Sequence, residues 1–282
     1  MSKPTSVDLF CGAGGASLGL QRAGFEHKLC VDYNEDAIAT IKAAGFPGVV
    51  GRVEDLSLYA GLQPVDLTWM SPPCQPWSAA GKRLASEDGR DGFPAAFEAL
   101  DVLQPTWAMS ENVKELAGDD YWKDVIVPEF EARFAWVSWK IIRAIHYGVP
   151  QDRRRVILVA GPRPIVWPLP WNTRPAPASS VVGEGFLRVE QKGATGRNTR
   201  LPSPTVTCSG NMYFYTADPG RRAPKDPLRG GMRVPPEHIA GLQGFPSDWP
   251  FQGLSGSRHR QAGNAVPPNL SEALGRALIA AM

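Results

Sequence analysis

The chain is poor in cysteine, in long apolar runs and in net charge. It has 4 cysteines in 282 residues, with no C-x-x-C spacing, so neither a disulfide framework nor a zinc site is expected. No stretch approaches the roughly 18–20 uncharged apolar residues that span a bilayer, and residues 1–6 lack the apolar segment of a secretory signal. We therefore expect a cytoplasmic protein with no membrane partner and no bound metal.

The formal net charge of +2 is unevenly distributed. Residues 151–233 contain 14 Lys and Arg against 5 Asp and Glu, which leaves an excess of nine positive charges there and seven negative charges elsewhere. A basic region on an acidic body favours a polyanionic partner. A solvated basic surface would give the same count.

Short apolar runs alternate with helical patterns over the first 160 residues, which indicates βαβ units around a parallel sheet. The length suits one large α/β domain with a small second lobe. The predicted strands are Ser6–Phe10, Lys28–Asp32, Val49–Arg52, Val65–Met70, Trp107–Ser110, Val137–Ala144 and Arg155–Ala160. The predicted helices are Ala16–Ala23, Glu35–Ala44, Phe93–Leu103 and Trp122–Phe134.

The composition changes after residue 160. Six prolines between Gly161 and Ser180 exclude an ordinary helix or central strand. The stretch that follows, to about residue 231, is rich in loops. Its two predicted strands are Phe186–Val189 and Pro204–Cys208, and helical patterns return at Glu237–Leu242 and Pro268–Ala281. We therefore divide the chain into a large domain (1–160), a small basic lobe (161–230) and a return to the large domain (231–282).

A glycine-rich turn, Asp8–Gly15 (DLFCGAGG), joins the first strand to the first helix. Such a turn lets a ligand approach the backbone and the helix amides. Asp32 ends the second strand, where an acid can bind both ribose hydroxyls, and Asp55 follows the third, where it can accept from an adenine amine. The turn has no nearby Lys-Ser/Thr, which excludes a P-loop. We expect an adenosine ligand without phosphates. The alternative is that Asp32 and Asp55 only cap helices.

A single thiol, Cys74, lies in Ser71–Pro76 (SPPCQP) after a predicted buried strand. Open α/β sheets bind ligands at the carboxyl ends of their strands, and the prolines fix the backbone. A thiolate there is suited to attack an electron-poor carbon, although a lone cysteine can also be a small buried hydrophobe.

Two further motifs carry charged groups. Glu111, in Ser110–Val113 (SENV), is a candidate proton donor, and the alternatives are a surface carboxylate or an ion pair with an arginine. Residues 151–155 (QDRRR) supply guanidinium groups that can bind a base carbonyl or a phosphate and hold Glu111 in place.

In this order, the motifs resemble those of the bacterial or phage DNA cytosine-5 methyltransferases over nearly the whole chain. The resemblance implies an α/β, Rossmann-like S-adenosylmethionine-dependent methyltransferase domain with a small, irregular target-recognition lobe. The matching segments are Asp8–Gly15, Pro73–Gln75, Glu111–Val113, Tyr147–Arg155, Leu242–Pro246 (LQGFP) and Gly263–Pro268 (GNAVPP).

The resemblance also implies a mechanism. Cys74 would add to carbon 6 of cytosine and Glu111 would protonate or hydrogen-bond nitrogen 3, so that carbon 5 takes the methyl group of S-adenosylmethionine. Arg155 would contact the cytosine oxygen, with Arg153 in support. Because a stacked base is inaccessible, the target must be flipped out of double-stranded DNA.

The resemblance and the basic charge together assign the remaining residues. The cofactor contacts would be Phe10, Gly12, Gly14, Asp32, Tyr33, Asp55, Leu56, Pro73, Asn264 and Ala265. The DNA contacts would be Gln75, Ser78, Lys82, Arg83 and Arg90 after the nucleophile, and Arg188, Arg197, Arg200 and Thr207 near the basic lobe. We expect a monomer that acts on nucleoid DNA, with a cognate restriction endonuclease as a candidate partner.

Two other functions compete with this one. An RNA cytosine-5 methyltransferase could use the same scaffold, but the Cys-Phe-Thr tripeptide of the tRNA-modifying branch is not present in the sequence. A DNA-binding regulator without catalysis would be expected to have lost Cys74, Glu111 or Asn264, and all three are in place.

Overall fold

A seven-stranded sheet forms the centre of the computed structural model, which describes residues 2–73, 91–171, 174–189, 195–209, 211–219 and 231–282. The strand order is β3-β2-β1-β4-β5-β7-β6. The strands are β1 (Thr5–Leu9), β2 (Glu26–Asp32), β3 (Gly48–Val50), β4 (Leu67–Met70), β5 (Trp107–Val113), β6 (Trp136–Arg143) and β7 (Arg154–Gly161). The first five run parallel, and β7 is antiparallel to both neighbours. This confirms the predicted α/β fold.

Helices cover both faces of this sheet. Those that pack on it are α1 (Gly15–Ala23), α2 (Glu35–Ala43), α3 (Phe93–Leu103), α4 (Val127–Glu131) and α8 (Pro268–Ile279). Further helices, α5 (Ser179–Val182), α6 (Pro236–Leu242) and α7 (Ser255–Asn264), follow the large sheet in the chain. One apolar cluster lies under α3 and α4, and another under α1 and α8. All four residues of β4 are buried, as expected for a parallel strand covered on both faces.

A second, antiparallel sheet forms within the basic lobe, in the order β11-β10-β8-β9. Its strands are β8 (Phe186–Val189), β9 (Arg197–Asn198), β10 (Met212–Tyr215) and β11 (Met232–Arg233). One face packs with α6 and α7 in a shared apolar cluster. The lobe is therefore less irregular than predicted, and β11 lies just beyond residue 230.

The predicted strand Pro204–Cys208 is wrong, because side chains take up the backbone groups of this segment. The Val206 N–H donates to Oε1 of Gln151 at 3.0 Å, and the Val206 carbonyl accepts from Nη1 of Arg153 at 3.2 Å. Pro204 has no N–H to donate to a ladder.

Helix α7 was not predicted, because it buries hydrogen-bonded polar residues rather than an apolar stripe. Gln261 accepts from the Thr40 hydroxyl at 2.7 Å, and Nε2 of His259 lies 3.0 Å from the Val234 carbonyl. The long helix predicted at Trp122–Phe134 is also wrong in form. A π-turn occupies Trp122–Ile126, and α4 then ends at Glu131. Within the described residues, no helix is long and apolar enough to cross a bilayer.

Candidate active site and cofactor cavity

The turn between β1 and α1 holds three residues with left-handed backbone, Phe10 (φ 57°), Gly12 (φ 51°) and Gly14 (φ 81°). Neighbouring elements approach it closely. A Cβ atom on Gly14 would lie 2.5 Å from Cδ1 of Ile41, and one on Gly15 would lie 2.0 Å from the carbonyl oxygen of Val266. Glycine is needed here because α2 and the segment after α7 press against the turn.

Asp32, at the end of β2, is held by backbone N–H groups on both carboxylate oxygens. Gly12 donates to Oδ2 and Asn34 donates to Oδ1, each at 2.9 Å. Burial raises the pKa of Asp32, and these hydrogen bonds partly offset the shift. Asp32 does not cap α2, since the side chain of Asn34 does so by accepting from Ala37. Its spare lone pairs leave it able to accept from a ribose diol.

A cavity of about 230 Å³ opens at the carboxyl ends of β1, β2 and β4. Four predicted cofactor residues line it, Phe10, Asp32, Tyr33 and Pro73. Tyr33 is 68% exposed, which leaves its ring open to a ligand. Six further lining residues were not predicted, because nothing in the sequence places them near the glycine turn. They are Gly51, Arg52, Val53, Glu54, Asp91 and Gly92.

The cavity suits S-adenosylmethionine by its charge. Among the described residues, three acids (Asp32, Glu54 and Asp91) line it with a single guanidinium, that of Arg52. A sulfonium and an ammonium group both gain from nearby carboxylates, and a diol gains from the acceptor Asp32.

The other predicted cofactor residues do not line this cavity. Oδ1 of Asp55 accepts from the N–H of Ser57 at 3.2 Å and from its hydroxyl at 2.6 Å, so Asp55 caps the 3₁₀ turn Leu56–Tyr59. Asn264 is exposed at the last position of α7, and Ala265 after it is buried. The cap alternative is therefore realised for Asp55, and its contact with adenine stays a prediction.

The carboxyl ends of β4 and β5 bring two predicted motifs together. Met70 pairs with Ser110 in the sheet register, so the residues that follow on each strand come side by side. Nδ2 of Asn112 donates to the carbonyl of Pro72 at 3.2 Å, which ties the start of the nucleophile motif to the strand that carries Glu111. Cys74 lies outside the described residues, as do Gln75, Ser78, Lys82, Arg83 and Arg90.

Glu111 forms a buried ion pair with Arg155. The distance from Nε of Arg155 to Oε1 of Glu111 is 2.8 Å, and the side chains are 12% and 9% exposed, respectively. Nη1 of Arg155 also donates to the carbonyl of Arg154 at 2.7 Å. The ion-pair alternative for Glu111 is thus realised, and the pairing fixes the carboxyl group at the sheet edge beside Pro72.

Arg153 joins three parts of the chain from a buried position. Nη1 donates to the carbonyl of Val206, and Nη2 donates to that of Gly263, both at 3.2 Å. A Cβ on Gly263 would lie 2.4 Å from the Thr207 carbonyl oxygen. The predicted DNA contact Thr207 therefore lies against the end of α7, next to the predicted cofactor contact Asn264.

The small sheet aligns basic and aromatic side chains on the face away from its apolar cluster. Arg188 of β8 is opposite Tyr213 of β10, which is opposite Arg233 of β11, and opposite residues share a face. Nη1 of Arg188 is buried without a hydrogen-bond partner among the described residues. Tyr213 and Arg233 were not predicted, although the aromatic run Met212–Tyr215 was a strand signal.

The other predicted DNA contacts in the lobe lie elsewhere. Arg197 is opposite Leu187, a residue of the apolar cluster, so it projects to the other face of the small sheet from Arg188. Arg200 forms an exposed ion pair with Glu184 at 3.1 Å. The structure does not bring these two arginines to the row of Arg188.

Beneath the glycine turn lies a buried polar cluster around Asp8, the first residue of the glycine-turn motif, whose other members belong to no motif. The hydroxyl of Ser17 donates to Oδ2 of Asp8 at 2.5 Å and lies 3.6 Å from the sulfur of Cys30. Burial raises the pKa of Asp8 to about 7, and the hydrogen bond from Ser17 offsets part of the shift. His27 lies 2.8 Å from the Ser17 carbonyl, and burial lowers its pKa to about 4.

The sheet order, the glycine turn and the acid-lined cavity together define an S-adenosylmethionine-dependent methyltransferase. A family model described as C-5 cytosine-specific DNA methylase matches residues 5–165 and 170–280. The chain belongs to this family and is a DNA cytosine-5 methyltransferase that uses S-adenosylmethionine, as predicted.

Individual relatives agree with this assignment. The chain is 31% identical to the Type II methyltransferase M.NgoMIV of Neisseria gonorrhoeae, covering 99% of this chain and 98% of the relative. It is 30% identical to the Type II methyltransferase M.NaeI of Lentzea aerocolonigenes, covering 98% and 75%. The solved structure of the Entamoeba histolytica methyltransferase EhMeth matches the fold with a TM-score of 0.77 at 17% identity, covering 100% of this chain and 99% of that one.

Proposed function

We propose that the enzyme methylates carbon 5 of a cytosine that is flipped out of a specific double-stranded DNA sequence, through a covalent adduct of Cys74 at carbon 6. The observation that carries the proposal is that the nucleophile motif and the acid motif meet at the carboxyl ends of β4 and β5. Asn112 ties Pro72 to β5, and Arg155 fixes Glu111 beside them. The nucleophile, Cys74, follows Pro73 in the chain.

The thiolate of Cys74 adds to carbon 6, while Glu111 donates a proton or hydrogen bond to nitrogen 3, which makes carbon 5 nucleophilic. Bound S-adenosylmethionine would supply the methyl group, with S-adenosylhomocysteine as its product. Water would then take the carbon 5 proton and Glu111 would take back the nitrogen 3 proton, so that the bond from carbon 6 to the Cys74 sulfur breaks and the aromatic ring is restored. Arg155, beside Glu111, would contact the cytosine oxygen, and Arg153 would support it.

The cofactor would lie in the acid-lined cavity, with Asp32 on the ribose and Tyr33 against the adenine. Phe10, Pro73 and the glycine turn would surround the methionine part. Asp55, Leu56, Asn264 and Ala265 stay proposed cofactor contacts on the family resemblance alone, since none of them lines the cavity. The proposed chemistry requires no metal.

DNA would bind against the basic lobe. The row of Arg188, Tyr213 and Arg233 offers two cations and an aromatic ring on one face, and a guanidinium can donate to a base edge or a phosphate. Thr207 would contact the backbone beside the flipped base. We propose residues 161–230 as the target-recognition region and residues 1–160 with 231–282 as the catalytic part.

The names of the Type II relatives support a place in a restriction-modification system. We propose that the enzyme acts as a monomer in the bacterial cytoplasm on nucleoid DNA, alongside a cognate restriction endonuclease. Bisulfite sequencing of DNA from cells that express the chain would give the recognition sequence.

A covalent trap tests the mechanism. Duplex DNA with 5-fluorocytosine at the target should cross-link the wild type in the presence of S-adenosylmethionine, because fluorine cannot leave as the proton does. Cys74→Ser should form no adduct. Failure of the wild type to form an adduct at a proven target would overturn the mechanism. If the enzyme methylated tRNA and no DNA, the proposal that DNA is its substrate would be wrong.

A further inference from the structure

We infer that the Asp91 carboxylate faces the sulfonium group of bound S-adenosylmethionine, and that its charge strengthens the binding of this substrate relative to the product. The inference rests on the proposed function, because it takes the acid-lined cavity as the cofactor site. Asp91 belongs to none of the motifs that identified the family.

Two hydrogen bonds fix the Asp91 carboxylate at the cavity wall. Oδ1 accepts from the N–H of Phe93 at 3.0 Å, and Oδ2 accepts from the hydroxyl of Tyr121. The Tyr121 ring also packs edge-on against Phe93, with a centroid distance of 6.4 Å. Each carboxylate oxygen can accept more than one hydrogen bond, so the group can still accept from a ligand.

The Tyr121 hydroxyl is suited to hold an anion. Burial, the hydrogen bond to Asp91 and the negative charge of Asp91 all raise the pKa of Tyr121. The hydroxyl therefore stays a donor at neutral pH, and Asp91 is the acceptor in the pair.

The position of Asp91 in the cavity follows from the residue after it. A Cβ on Gly92 would lie 2.6 Å from Cδ of Pro73 and 3.0 Å from Cζ of Phe10. The segment Asp91–Gly92 therefore packs against Pro73, the residue that precedes the nucleophile. Asp32 marks the ribose end, at β2.

The reaction requires the sulfonium at the Pro73 end. The methyl group goes to carbon 5 of cytosine, which is bonded directly to carbon 6, where Cys74 adds. The donor sulfur must therefore lie toward Cys74, farther from Asp32 than the ribose is. Of the three acids that line the cavity in the described part of the chain, Asp91 is the one whose neighbour packs against Pro73.

The charge of the donor changes in the reaction. S-adenosylmethionine carries a positive sulfonium, whereas the sulfur of S-adenosylhomocysteine is a neutral thioether, and the ammonium and carboxylate groups are common to both. A carboxylate at the sulfur therefore attracts the substrate and not the product. Asp91 would lower product inhibition by this difference.

Calorimetric binding of S-adenosylmethionine and S-adenosylhomocysteine to the full chain without DNA tests the inference. Asp91→Asn keeps the shape of the side chain and removes its charge. It should weaken the affinity for S-adenosylmethionine about tenfold and change the affinity for S-adenosylhomocysteine by less than about twofold, so the two binding free energies should differ in their change by about 1.4 kcal/mol. Tyr121→Phe should shift the same ratio in the same direction by a smaller factor. Glu98→Gln, an exposed acid on α3, is the charge-matched control and should change neither affinity.

If Asp91→Asn weakens the affinity for both ligands equally, Asp91 contacts the ammonium group or affects the fold, and the inference is overturned. An unchanged ratio of the two affinities would overturn it as well. If Asp91→Asn does not fold, Tyr121→Phe decides, and an unchanged ratio there overturns it. A wild type that binds neither ligand counts against the cofactor site itself. If the wild type binds both ligands but methylates no DNA, the proposed function is wrong, whereas the inference about Asp91 is still decided by the two affinities.

Discussion

Nε of Arg155 lies 2.8 Å from Oε1 of Glu111 across two antiparallel strands, and both side chains are almost fully removed from solvent. The pair joins two motifs that are 44 residues apart in the chain. A buried carboxylate is costly without a partner, so the guanidinium holds Glu111 at the sheet edge where the nucleophile motif begins.

Glu111→Gln should slow methyl transfer at least about 100-fold, because the amide cannot deliver a proton to nitrogen 3. The affinity for S-adenosylmethionine should stay within about twofold, since Glu111 does not line the cavity. Single-turnover methylation and calorimetry measure the two quantities. Glu115→Gln, an exposed acid just beyond β5, is the control. A rate close to wild type for Glu111→Gln would exclude Glu111 as the acid.

Arg155→Ala should destabilise the fold by about 3 kcal/mol, because it leaves the Glu111 carboxylate buried without a partner. Urea unfolding measures the change. Arg200→Ala removes an ion pair whose side chains are both 72% exposed, and should cost less than about 1 kcal/mol. Adding Glu111→Gln to Arg155→Ala should restore part of the lost stability. An additive double variant would show that the two groups do not interact.

Gly263→Ala should destabilise the protein by about 1–3 kcal/mol, the usual range for overpacking. Its Cβ would lie 2.4 Å from the carbonyl oxygen of Thr207, a backbone atom that cannot move without shifting the lobe. Gly118→Ala is the control, because a Cβ there would meet nothing within 4 Å. Thermal unfolding compares the two variants, and equal midpoints would contradict the close approach of α7 to Thr207.

The stability advantage of the wild type over Asp8→Asn should fall as pH rises from about 4 to about 7. The pKa of Asp8 is raised from 3.8 to about 7, so in this window the folded state holds a proton that the unfolded state has lost. Stability then decreases with pH, by a few kcal/mol at most, and levels off above pH 7. His27, whose pKa is lowered to about 4, has the opposite effect between pH 4 and 6.5 in both proteins and so drops out of the difference.

Urea unfolding of wild type and Asp8→Asn at pH 5 and at pH 7.5 measures this effect. The difference between the two free energies of unfolding should be smaller at the higher pH. A difference that is equal at both values, or that grows with pH, would show that the pKa of Asp8 is not raised in the fold.

Arg188→Gln should weaken binding to duplex DNA and lower the slope of log K against log salt by about one, if Arg188 contacts a phosphate. A loss of sequence preference without a change in slope would indicate a contact with a base edge instead. Fluorescence anisotropy over a salt series separates the two. Arg276→Gln, in an ion pair with Glu272 on α8, is the control. Unchanged affinity in Arg188→Gln would remove Arg188 from the DNA surface.

The parts of the fold that could be predicted were those with a local signal. The glycine turn and the buried strand β4 follow from residue types at short spacing. Helix α7 could not be found in this way, because its buried residues are polar and gain their hydrogen bonds from Thr40 and Val234, far away in the chain. The prediction of a strand at Pro204–Cys208 was wrong for the same reason. The backbone there forms hydrogen bonds with the side chains of Gln151 and Arg153, which are also distant in the chain.

The sequence by itself determined the reaction and the family. The thiol, the acid, the glycine turn and the arginines each lie in a short motif, and the residue types in these motifs predict their chemistry. Only the tertiary structure decided which groups meet. The pairing of Glu111 with Arg155, the row of Arg188, Tyr213 and Arg233, and the place of Asp91 in the cavity all join residues that no periodicity relates. They depend on sheet register and helix packing, and these are set by burial of the whole core.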